Sequence, residues 1–326
     1  MGFKAFWVEK SDAGFERSIV ERQIDDLPDG EVLIHVQYSS LNYKDALSAT
    51  GNPGVTRQFP HTPGIDAAGV VVESSDGQFS AGDEVIVIGF DLGMNTHGGF
   101  AERIRVPSAW VVPMPAGLDS HTSMIIGTAG FTAAACVQKL EANGATPDSG
   151  PVLVTGATGG VGSVAVKLLA SQGYEVAAVT GKVEQHDFLK ELGASEILSR
   201  EDAHAGTDKA LLAPRWGGVV DTVGGDILFN AVKSLRYGAS VAACGLVGGP
   251  AFSATVLPFI LRNVNLLGVD SVELPLAQKA AIWQRLGAAW KLDLSALEEA
   301  LSFDSLSGAI DRILAGDMVG RGVIHL

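Results

Sequence analysis

The sequence is short of cysteine and of basic residues, and both shortages exclude classes of protein. Only two cysteines occur, Cys136 and Cys244, and each lies in an apolar segment, which favours buried thiols over a disulfide. The 23 Lys and Arg residues are outnumbered by 37 Asp and Glu, which gives a net charge of −14. No Lys/Arg cluster stands out from this acidic background, so neither nucleic acid nor an anionic membrane is an expected partner.

Long apolar runs are also missing. No stretch reaches the ~18 apolar residues that span a bilayer, and the first ten residues, MGFKAFWVEK, lack the apolar run of a signal peptide. We therefore expect a cytoplasmic protein. Internal repeats, low-complexity tracts and Ser/Pro-rich linkers are lacking too, so a chain of 326 residues favours two domains of roughly 100–200 residues each.

The first 125 residues are typical of a β-rich, barrel-like domain. Four segments rich in Val and Ile are bounded by Gly, Pro or Asp, as strands commonly are. They are KAFWVE (4–9), EVLIHVQYSS (31–40), AGVVVES (68–74) and DEVIVIG (83–89). The last 55 residues contain a helix-like segment and finish with a short strand, GVIHL. We expect this tail to return to the first domain.

From about residue 126 to residue 271, apolar strands alternate with helix-like segments. This alternation predicts a parallel sheet with helices on both faces, and Gly173 and Gly193 stand where two helices are expected to end. The predicted strands are 152–156, 174–181, 195–199, 217–224, 239–245 and 265–271, and the predicted helices are 161–173, 184–193 and 227–235.

The segment VLVTGATGGVGSVAV (152–166) is the most specific motif in the chain. A strand leads into a glycine-rich turn and then into a helix, and this is how dinucleotide-binding domains hold a pyrophosphate on backbone N–H groups. The alternative is a glycine-rich turn without a ligand. The predicted cofactor contacts are consecutive: Ala157, Thr158, Gly159, Gly160, Val161 and Gly162.

The end of the next strand favours NADPH over NADH. NAD sites usually place Asp or Glu about 20 residues after the glycines, where the carboxylate holds the ribose 2′-OH. This chain has Thr180-Gly181-Lys182 there, and Arg200 follows the third strand. A hydroxyl and two cations suit a 2′-phosphate. Taken alone, Lys182 or Arg200 is more simply interpreted as a solvated surface charge.

The chain resembles the medium-chain dehydrogenase/reductase superfamily nearly from end to end. The similar segments are SSLNYKDALSATG (39–51), FPHTPGIDAAGVV (59–71), GDEVIVIG (82–89), GGFAERIRV (98–106) and GTAGFTAAACV (127–137). Four strings resemble the acryloyl-CoA reductase (NADPH) subfamily more specifically: NYKDAL, IIGTAGFTA, ACGL and PFILRNVNLLGVDSV. The resemblance implies an α/β protein in which 126–271 form an NADP-binding Rossmann domain, with a doubly wound parallel sheet. It also implies a β-rich, GroES-like barrel domain, the catalytic domain, from 1–125 and 272–326.

The same resemblance predicts chemistry without a metal. Zinc alcohol dehydrogenases of this superfamily carry Cys where Asn42 stands and His where Ile65 stands, and their four-cysteine lobe is replaced here by DLGMNTHGG (91–99). A catalytic zinc needs three protein ligands and an open position. His61 and His97 lie near expected site loops, but neither has a partner at ligand spacing. Reduction of an activated C=C bond needs no metal, because a hydride, a proton and a held carbonyl suffice.

Three residues of the first domain are the predicted catalytic group: Tyr43, Asn42 and Asp45. The Tyr43 phenol can contact the cofactor, donate to a thioester carbonyl or relay a proton, and the alternative is a packed tyrosine. Asn42 can orient the substrate or the nicotinamide amide, and Asp45 can fix the loop or pair with Lys44. Asp66 is interpreted as structural, with a role in the site left open.

The resemblance suggests further contacts to the nicotinamide half from Leu246, Pro258 and Ser271, which follow predicted strands or lie in loops. Arg321 is predicted to reach cofactor or substrate, and Arg262 to bind the phosphates of CoA. For both arginines a surface ion pair is the competing interpretation. Residues 251–271 are expected to form a homodimer contact, as in many members of the superfamily.

Three functions remain at this point. The first is NADPH-dependent reduction of acryloyl-CoA to propanoyl-CoA, with an acyl-CoA as the small-molecule partner. The second is a quinone or enone reductase on the same fold, which needs no phosphate anchor. The third is an NADPH-binding protein without catalysis, against which Asn42, Tyr43 and Asp45 argue.

Overall fold

The computed structural model describes residues 2–326, which form two compact units. One unit comprises the chain up to Thr128 together with Ser271–Leu326, and the other comprises Ala129–Asp270. None of the helices within residues 2–326 combines the length and the apolar character that crossing a bilayer requires.

The strands and helices follow one another along both units. In chain order the strands are β1 (Gly2–Ser11), β2 (Gly14–Gln23), β3 (Val32–Leu41), β4 (Asp66–Ser74), β5 (Glu84–Ile88), β6 (Arg103–Val106), β7 (Val111–Pro113), β8 (Val152–Val154), β9 (Val176–Val179), β10 (Glu196–Leu198), β11 (Gly218–Asp221), β12 (Ser240–Ala243), β13 (Asn265–Gly268), β14 (Glu298–Leu301) and β15 (Arg321–His325). The helices are α1 (Tyr43–Ala49), α2 (Ser120–Ala142), α3 (Gly160–Ser171), α4 (His186–Glu191), α5 (Arg200–His204), α6 (Gly225–Lys233), α7 (Leu257–Arg262), α8 (Leu276–Gly287) and α9 (Phe303–Ala315).

The first unit is dominated by β-structure, as its Val- and Ile-rich segments predict. A mixed sheet has the order β14-β15-β3-β4-β5-β7, with β6 also paired to β3, and β1 and β2 form a separate antiparallel hairpin. The central strand β3 buries Val32, Ile34 and Val36 against the neighbouring strands. The C-terminal tail returns to this unit, because β15 pairs antiparallel with β3.

The second unit contains a six-stranded parallel sheet of order β10-β9-β8-β11-β12-β13. This is the doubly wound order, in which the direction of winding reverses between β8 and β11. Its inner strands β8, β9 and β11 are buried along their length, as strands inside a covered sheet must be, whereas the edge strands β10 and β13 are largely half-buried. Gly173 and Gly193 follow the ends of α3 and α4 with φ of +83° and +107°. The predicted parallel sheet and both helix ends are confirmed.

Some short elements were not predicted. α1 has seven residues and α7 has six, which is too short for a helical pattern of apolar residues to stand out. Pro258 was expected in a loop or after a strand, but it lies in the first turn of α7. Proline is accepted there because that turn has no use for its missing N–H. The hairpin strand β2 and helix α9 were missed as well.

Candidate active site

Residues 39–51, called here the first active-site segment, contain the predicted catalytic residues, and Asp45 holds this segment at the start of α1. One carboxylate oxygen of Asp45 accepts from the backbone N of Asn42 at 2.8 Å, and the other accepts from the N–H groups of Gly64 (3.1 Å) and Ile65 (2.8 Å). Asp45 is fully buried. Burial, followed by the charge of the nearby Asp66 carboxylate, raises the pKa of its carboxyl to about 7, although the N–H donors oppose this rise. The side chain thus fixes this segment and faces away from solvent.

Tyr43 differs from its buried neighbours, because 40% of its surface is exposed. It is the first residue of α1, directly after the fixed residue Asn42. Within residues 2–326, its hydroxyl has no hydrogen-bond partner, so the phenol is available to a ligand. The rigid base beneath it and the accessible ring suit a residue that contacts substrate or cofactor.

Asp66 is the centre of a buried hydrogen-bond network. Its carboxylate accepts from the hydroxyls of Ser40 and Thr128, from the Thr128 N–H at 2.9 Å and from the Asn42 amide at 2.8 Å. The guanidinium of Arg321 lies 3.8 Å away. Asp66 and Arg321 are 0% and 2% exposed, so each buried charge is matched by an opposite charge and by hydrogen bonds.

All three guanidinium nitrogens of Arg321 donate hydrogen bonds within this network. Its guanidinium donates to the carbonyl oxygen of Ile125 at 3.0 Å, to the Ser40 hydroxyl at 2.9 Å and, over longer distances, to Leu41 and the Asn42 side chain. Burial lowers the pKa of Arg321, while the charges of Asp66 and Asp45 raise it. The predicted contact of Arg321 with cofactor or substrate gains no support from these bonds. They make it a positioning residue for Asn42.

Gly127 allows the chain to pass next to this network. Its φ of 51° and ψ of −164° break the helical geometry of α2, so that Thr128 can turn both its N–H and its hydroxyl to Asp66. A Cβ at Gly127 would lie 2.6 Å from the Asp66 carboxylate and would overlap Arg321 and Ser40. Glycine is required at this position for both reasons.

The positions where zinc enzymes of the superfamily carry ligands have other partners in this structure. Asn42 donates its amide to Asp66, and Ile65 is a buried apolar residue. Within residues 2–326, one group of His, Cys, Asp or Glu side chains has the geometry to hold a metal ion: His121, Glu298 and His325. This group includes none of the first active-site segment.

The phosphate-binding turn has the expected form in the second unit. The strand β8 leads through Gly156, with φ of +61°, to α3, whose N-cap is Gly159. A Cβ at Gly162 would lie 2.7 Å from the Cα of Ala157, so close packing of helix and turn demands glycine there. Gly159 is different: it is extended, and a Cβ would meet only the Gly156 oxygen at 3.4 Å. The protein itself has little need of glycine at 159, but a pyrophosphate approaching the start of α3 does.

The residues expected around a 2′-phosphate lie together at the end of β9. Thr180 follows this strand and is buried, and its hydroxyl oxygen accepts from the Lys182 N–H at 3.0 Å. A Cβ at Gly181 would lie 2.6 Å from Nε of Arg200, which shows that the Arg200 side chain packs directly over Gly181. The hydroxyl and the two cations therefore belong to one corner of this unit, and the residues fit NADPH.

The hydrogen-bonded pair of Asp221 and Thr155, which joins the strand ends beside this turn, was not predicted from the sequence. The carboxylate of Asp221, at the end of β11, accepts from the Thr155 hydroxyl at 2.7 Å and from the Gly224 N–H at 2.8 Å. Burial raises the pKa of Asp221, although these donors lower it. The pair fixes the ends of β8 and β11 where the winding of the sheet reverses, which is where open α/β sheets bind ligands. The only signal in the sequence was a carboxylate at the end of an apolar strand.

The other predicted residues differ in their exposure and in their hydrogen bonds. Leu246 is 61% exposed, whereas Pro258 and Ser271 are buried. Arg262 donates to the carbonyl oxygens of Lys233 and Leu212, both at 2.7 Å, which ties the end of α7 to neighbouring loops. Its contact with CoA phosphates remains a prediction that these bonds do not support. Both cysteines are free thiols, with Cys136 buried and Cys244 half-buried.

Two family models match the chain. The Alcohol dehydrogenase GroES-like domain matches residues 28–116, and Zinc-binding dehydrogenase matches residues 160–287. The sequence is 45% identical to Acrylyl-CoA reductase AcuI of Ruegeria pomeroyi and 46% identical to Putative quinone oxidoreductase YhfP of Bacillus subtilis, and each comparison covers 99% of both chains.

Solved structures agree with these relatives. The YhdH oxidoreductase from Salmonella enterica in complex with NADP superposes with a TM-score of 0.96 at 45% identity over 99% of both chains. Bacillus subtilis YhfP with NAD bound superposes with a TM-score of 0.98 at 46% identity over 100% of both chains. The predicted fold class, a GroES-like domain with a Rossmann domain, is confirmed. The chain therefore belongs to the medium-chain dehydrogenase/reductase superfamily, in its quinone-oxidoreductase-like branch.

Proposed function

We propose that this protein is an NADPH-dependent reductase that converts acryloyl-CoA to propanoyl-CoA. The observation that carries the proposal is the 45% identity to an acrylyl-CoA reductase over 99% of both chains. This match includes NYKDAL, the segment that holds Asn42, Tyr43 and Asp45. The structure supports it with a fixed loop that presents one accessible phenol.

We propose NADPH as the cofactor. A solved relative binds NADP and another was solved with NAD, so kinship alone leaves the choice open. The corner formed by Thr180, Lys182 and Arg200 supports NADPH, because it offers a hydroxyl and two cations where NAD enzymes place a carboxylate. We propose that the pyrophosphate lies on the 157–162 turn and that Leu246, Pro258 and Ser271 contact the nicotinamide half.

When bound, NADPH supplies the hydride that the β-carbon of the acryloyl group accepts. The residues of the chain have to hold the thioester carbonyl and allow a proton to reach the α-carbon. We propose that Tyr43 donates its O–H to this carbonyl and so stabilises the enolate character that develops on it. Asn42 and Asp45 then act as positioning residues, since their polar groups are occupied by Asp66, Arg321 and backbone N–H groups.

The second candidate function is reduction of a quinone or a free enone. It is favoured by the 46% identity to a putative quinone oxidoreductase. The identity to the acrylyl-CoA reductase is 45%, so the two differ by one percentage point. The bonds of Arg262 to backbone carbonyls also fit this alternative, because they leave the predicted CoA anchor without support. The two functions differ in whether the CoA moiety of the substrate improves turnover.

The test is the absorbance decrease of NADPH with a panel of substrates. The panel contains acryloyl-CoA, crotonyl-CoA, acrylate, methyl vinyl ketone and a benzoquinone, and each is repeated with NADH. Fast turnover of acryloyl-CoA alone with NADPH supports the proposal. Equal turnover of free enone or quinone assigns the second function. Tight NADPH binding without turnover of any compound points to a protein without catalysis.

We further propose that 1–125 with 272–326 act as the catalytic domain and that 126–271 act as the NADP-binding domain of a cytoplasmic homodimer. Support for a dimer comes from large apolar side chains that are exposed in the segment between β12 and β13, the segment that leads into the edge strand of the parallel sheet. They are Leu246, Val247, Val256, Ile260 and Leu261. Sedimentation equilibrium tests this, and a monomer at micromolar concentration would contradict it.

A further inference from the structure

We propose that His121, Glu298 and His325 form a zinc site of the first unit, separate from the reduction chemistry. One ligand atom from each residue lies within 4.8 Å of the others. Two imidazoles and one carboxylate are a donor set that zinc takes in proteins, with a water molecule in the fourth position. The proposal goes beyond the function above and does not depend on it.

The distances already approach those of a coordinated ion. Nε2 of His121 lies 2.8 Å from Oε1 of Glu298, and Nε2 of His325 lies 3.4 Å from the same oxygen. Zinc–ligand bonds of about 2.0–2.1 Å in tetrahedral geometry separate two ligand atoms by about 3.3 Å. Small side-chain rotations therefore suffice to place an ion among the three atoms.

Neighbouring rings hold the two imidazoles in this orientation. The ring of Tyr38 packs against His121 at 5.0 Å and against His325 at 4.9 Å, and the two imidazoles pack edge to face at 5.6 Å. Without a metal, the Nε2 atoms of both histidines face the same carboxylate oxygen of Glu298. A zinc ion can take its place between these three atoms with both rings in neutral form, so the triad is a preformed site.

Exposure also suits an exchangeable ion. The Glu298 side chain is only 15% exposed, which keeps its carboxylate in place, whereas His121 and His325 are 38% and 48% exposed. The ion can therefore enter from solvent and keep a bound water. The charge balance is favourable too, because one carboxylate and two neutral imidazoles offset half of the charge of Zn²⁺.

The ion would join three elements of the first unit. His121 lies in the first turn of α2, Glu298 begins β14 and His325 ends β15. The residue paired with Glu298 across the sheet is Arg321, which bonds to the carbonyl of Ile125 in α2. Zinc would thus link β14, β15 and α2, the elements next to the buried Asp66–Arg321 pair. We expect it to raise the thermal stability of the protein.

The experiment is a zinc titration of the full-length, chelator-treated protein against a chromophoric zinc indicator. We expect one zinc per chain, a higher melting temperature with zinc, and affinity lost in H121A, E298Q and H325A. Each loss should exceed the roughly 10–100-fold that removal of an outer-shell partner causes. The matched control is H204A, which removes an exposed histidine of the second unit and should bind zinc as the wild type does.

Cobalt identifies the donor atoms independently of activity. Co²⁺ in this site should give visible d–d bands without the thiolate charge-transfer band that Cys136 or Cys244 would produce. Melting curves with a chelator show whether each variant is folded before metal is added. The proposal is overturned if folded H121A and H325A bind zinc like the wild type, or if a thiolate band appears. Loss of NADPH turnover with intact zinc binding would count only against the proposed reductase.

Discussion

The side-chain amide of Asn42 donates a 2.8 Å hydrogen bond to the carboxylate of Asp66, which lies 24 residues further along the chain. Zinc enzymes of the superfamily place metal ligands at position 42 and at the neighbour of Asp66, so there the ion joins the two segments. Here hydrogen bonds join them instead, because Asp45 also binds the N–H groups of Gly64 and Ile65. In this chain the carboxylates of Asp45 and Asp66 therefore hold the two segments together.

Asp66→Asn tests this arrangement. The substitution removes the negative charge beside the buried Arg321 and points an amide N–H₂ at donors such as Asn42 or Thr128. Breaking a buried ion pair on one side costs about 3–5 kcal/mol, so the free energy of unfolding in urea should fall by that amount. Asp304→Asn, on the exposed surface of α9, is the control and should change stability by less than about 0.5 kcal/mol. An unchanged midpoint in the Asp66 variant would show that the network carries no net stability.

Gly127→Ala should be destabilising for two reasons. The left-handed φ of 51° costs an alanine about 1–3 kcal/mol, and the new methyl group would collide with Asp66 and Arg321. Gly308→Ala in α9 is the matched control, since a Cβ there meets nothing within 4 Å. That control should gain about 0.5–1 kcal/mol, because alanine favours a helix interior. Chemical denaturation of both variants checks the opposite signs, and equal effects would contradict the account of the kink.

The parallel sheet could be predicted from the sequence because its inner strands β8, β9 and β11 are almost wholly apolar and alternate with helix-like segments. The phosphate turn could be predicted because four glycines, at 156, 159, 160 and 162, follow directly after an apolar strand. The Asp66 network could not, since Ser40, Thr128 and Arg321 are far apart in the chain and are joined only by the fold. The His121, Glu298 and His325 group was missed for the same reason. A ligand spacing of 177 and 27 residues forms no motif.

The double variant Lys182→Ala/Arg200→Ala tests the corner assigned to the 2′-phosphate. Hydrogen bonds to charged groups contribute about 1.5–3 kcal/mol, so NADPH should bind roughly ten- to a hundredfold more weakly. Affinity for NADH should be unchanged, because that cofactor has no phosphate there. Lys190→Ala, which removes an exposed lysine paired with Asp187 on α4, should leave both affinities as they are. Calorimetric titration measures both affinities. A parallel loss of NADH affinity would show that Lys182 and Arg200 do not act through the 2′-phosphate.

His97 should make the protein less stable in mild acid. Burial, followed by the charges of Arg22 and His61, lowers the pKa of His97 to about 4. The backbone N–H of Thr62 donates to its Nδ1, which requires a neutral ring. The unfolded chain, with a pKa near 6.5, binds more protons than the folded one between these values. The free energy of unfolding must therefore fall as the pH drops from 6.5 towards 4.

His97→Gln isolates this contribution. Urea unfolding of the wild type and the variant at several pH values between 7 and 4 should give a smaller pH slope in the variant. His204→Gln, at an exposed position, should keep the wild-type slope. Identical slopes in all three proteins would show that other groups account for the acid sensitivity.

Tyr43→Phe tests whether the accessible phenol of the first active-site segment acts on the substrate. Loss of a hydrogen bond made to developing charge in the transition state typically lowers kcat by about 10²–10³, and we expect that loss with acryloyl-CoA. The fold should be unaffected, because the ring is 40% exposed and stands outside the Asp66 network. Tyr237→Phe, at a tyrosine that is 77% exposed in the second unit, controls for the change itself. A steady-state assay separates the outcomes. A fall in kcat assigns the hydroxyl to the reaction, and a rise only in the KM for NADPH assigns it to cofactor binding. Unchanged constants would show that Tyr43 has no part in the reaction and that another residue donates to the carbonyl.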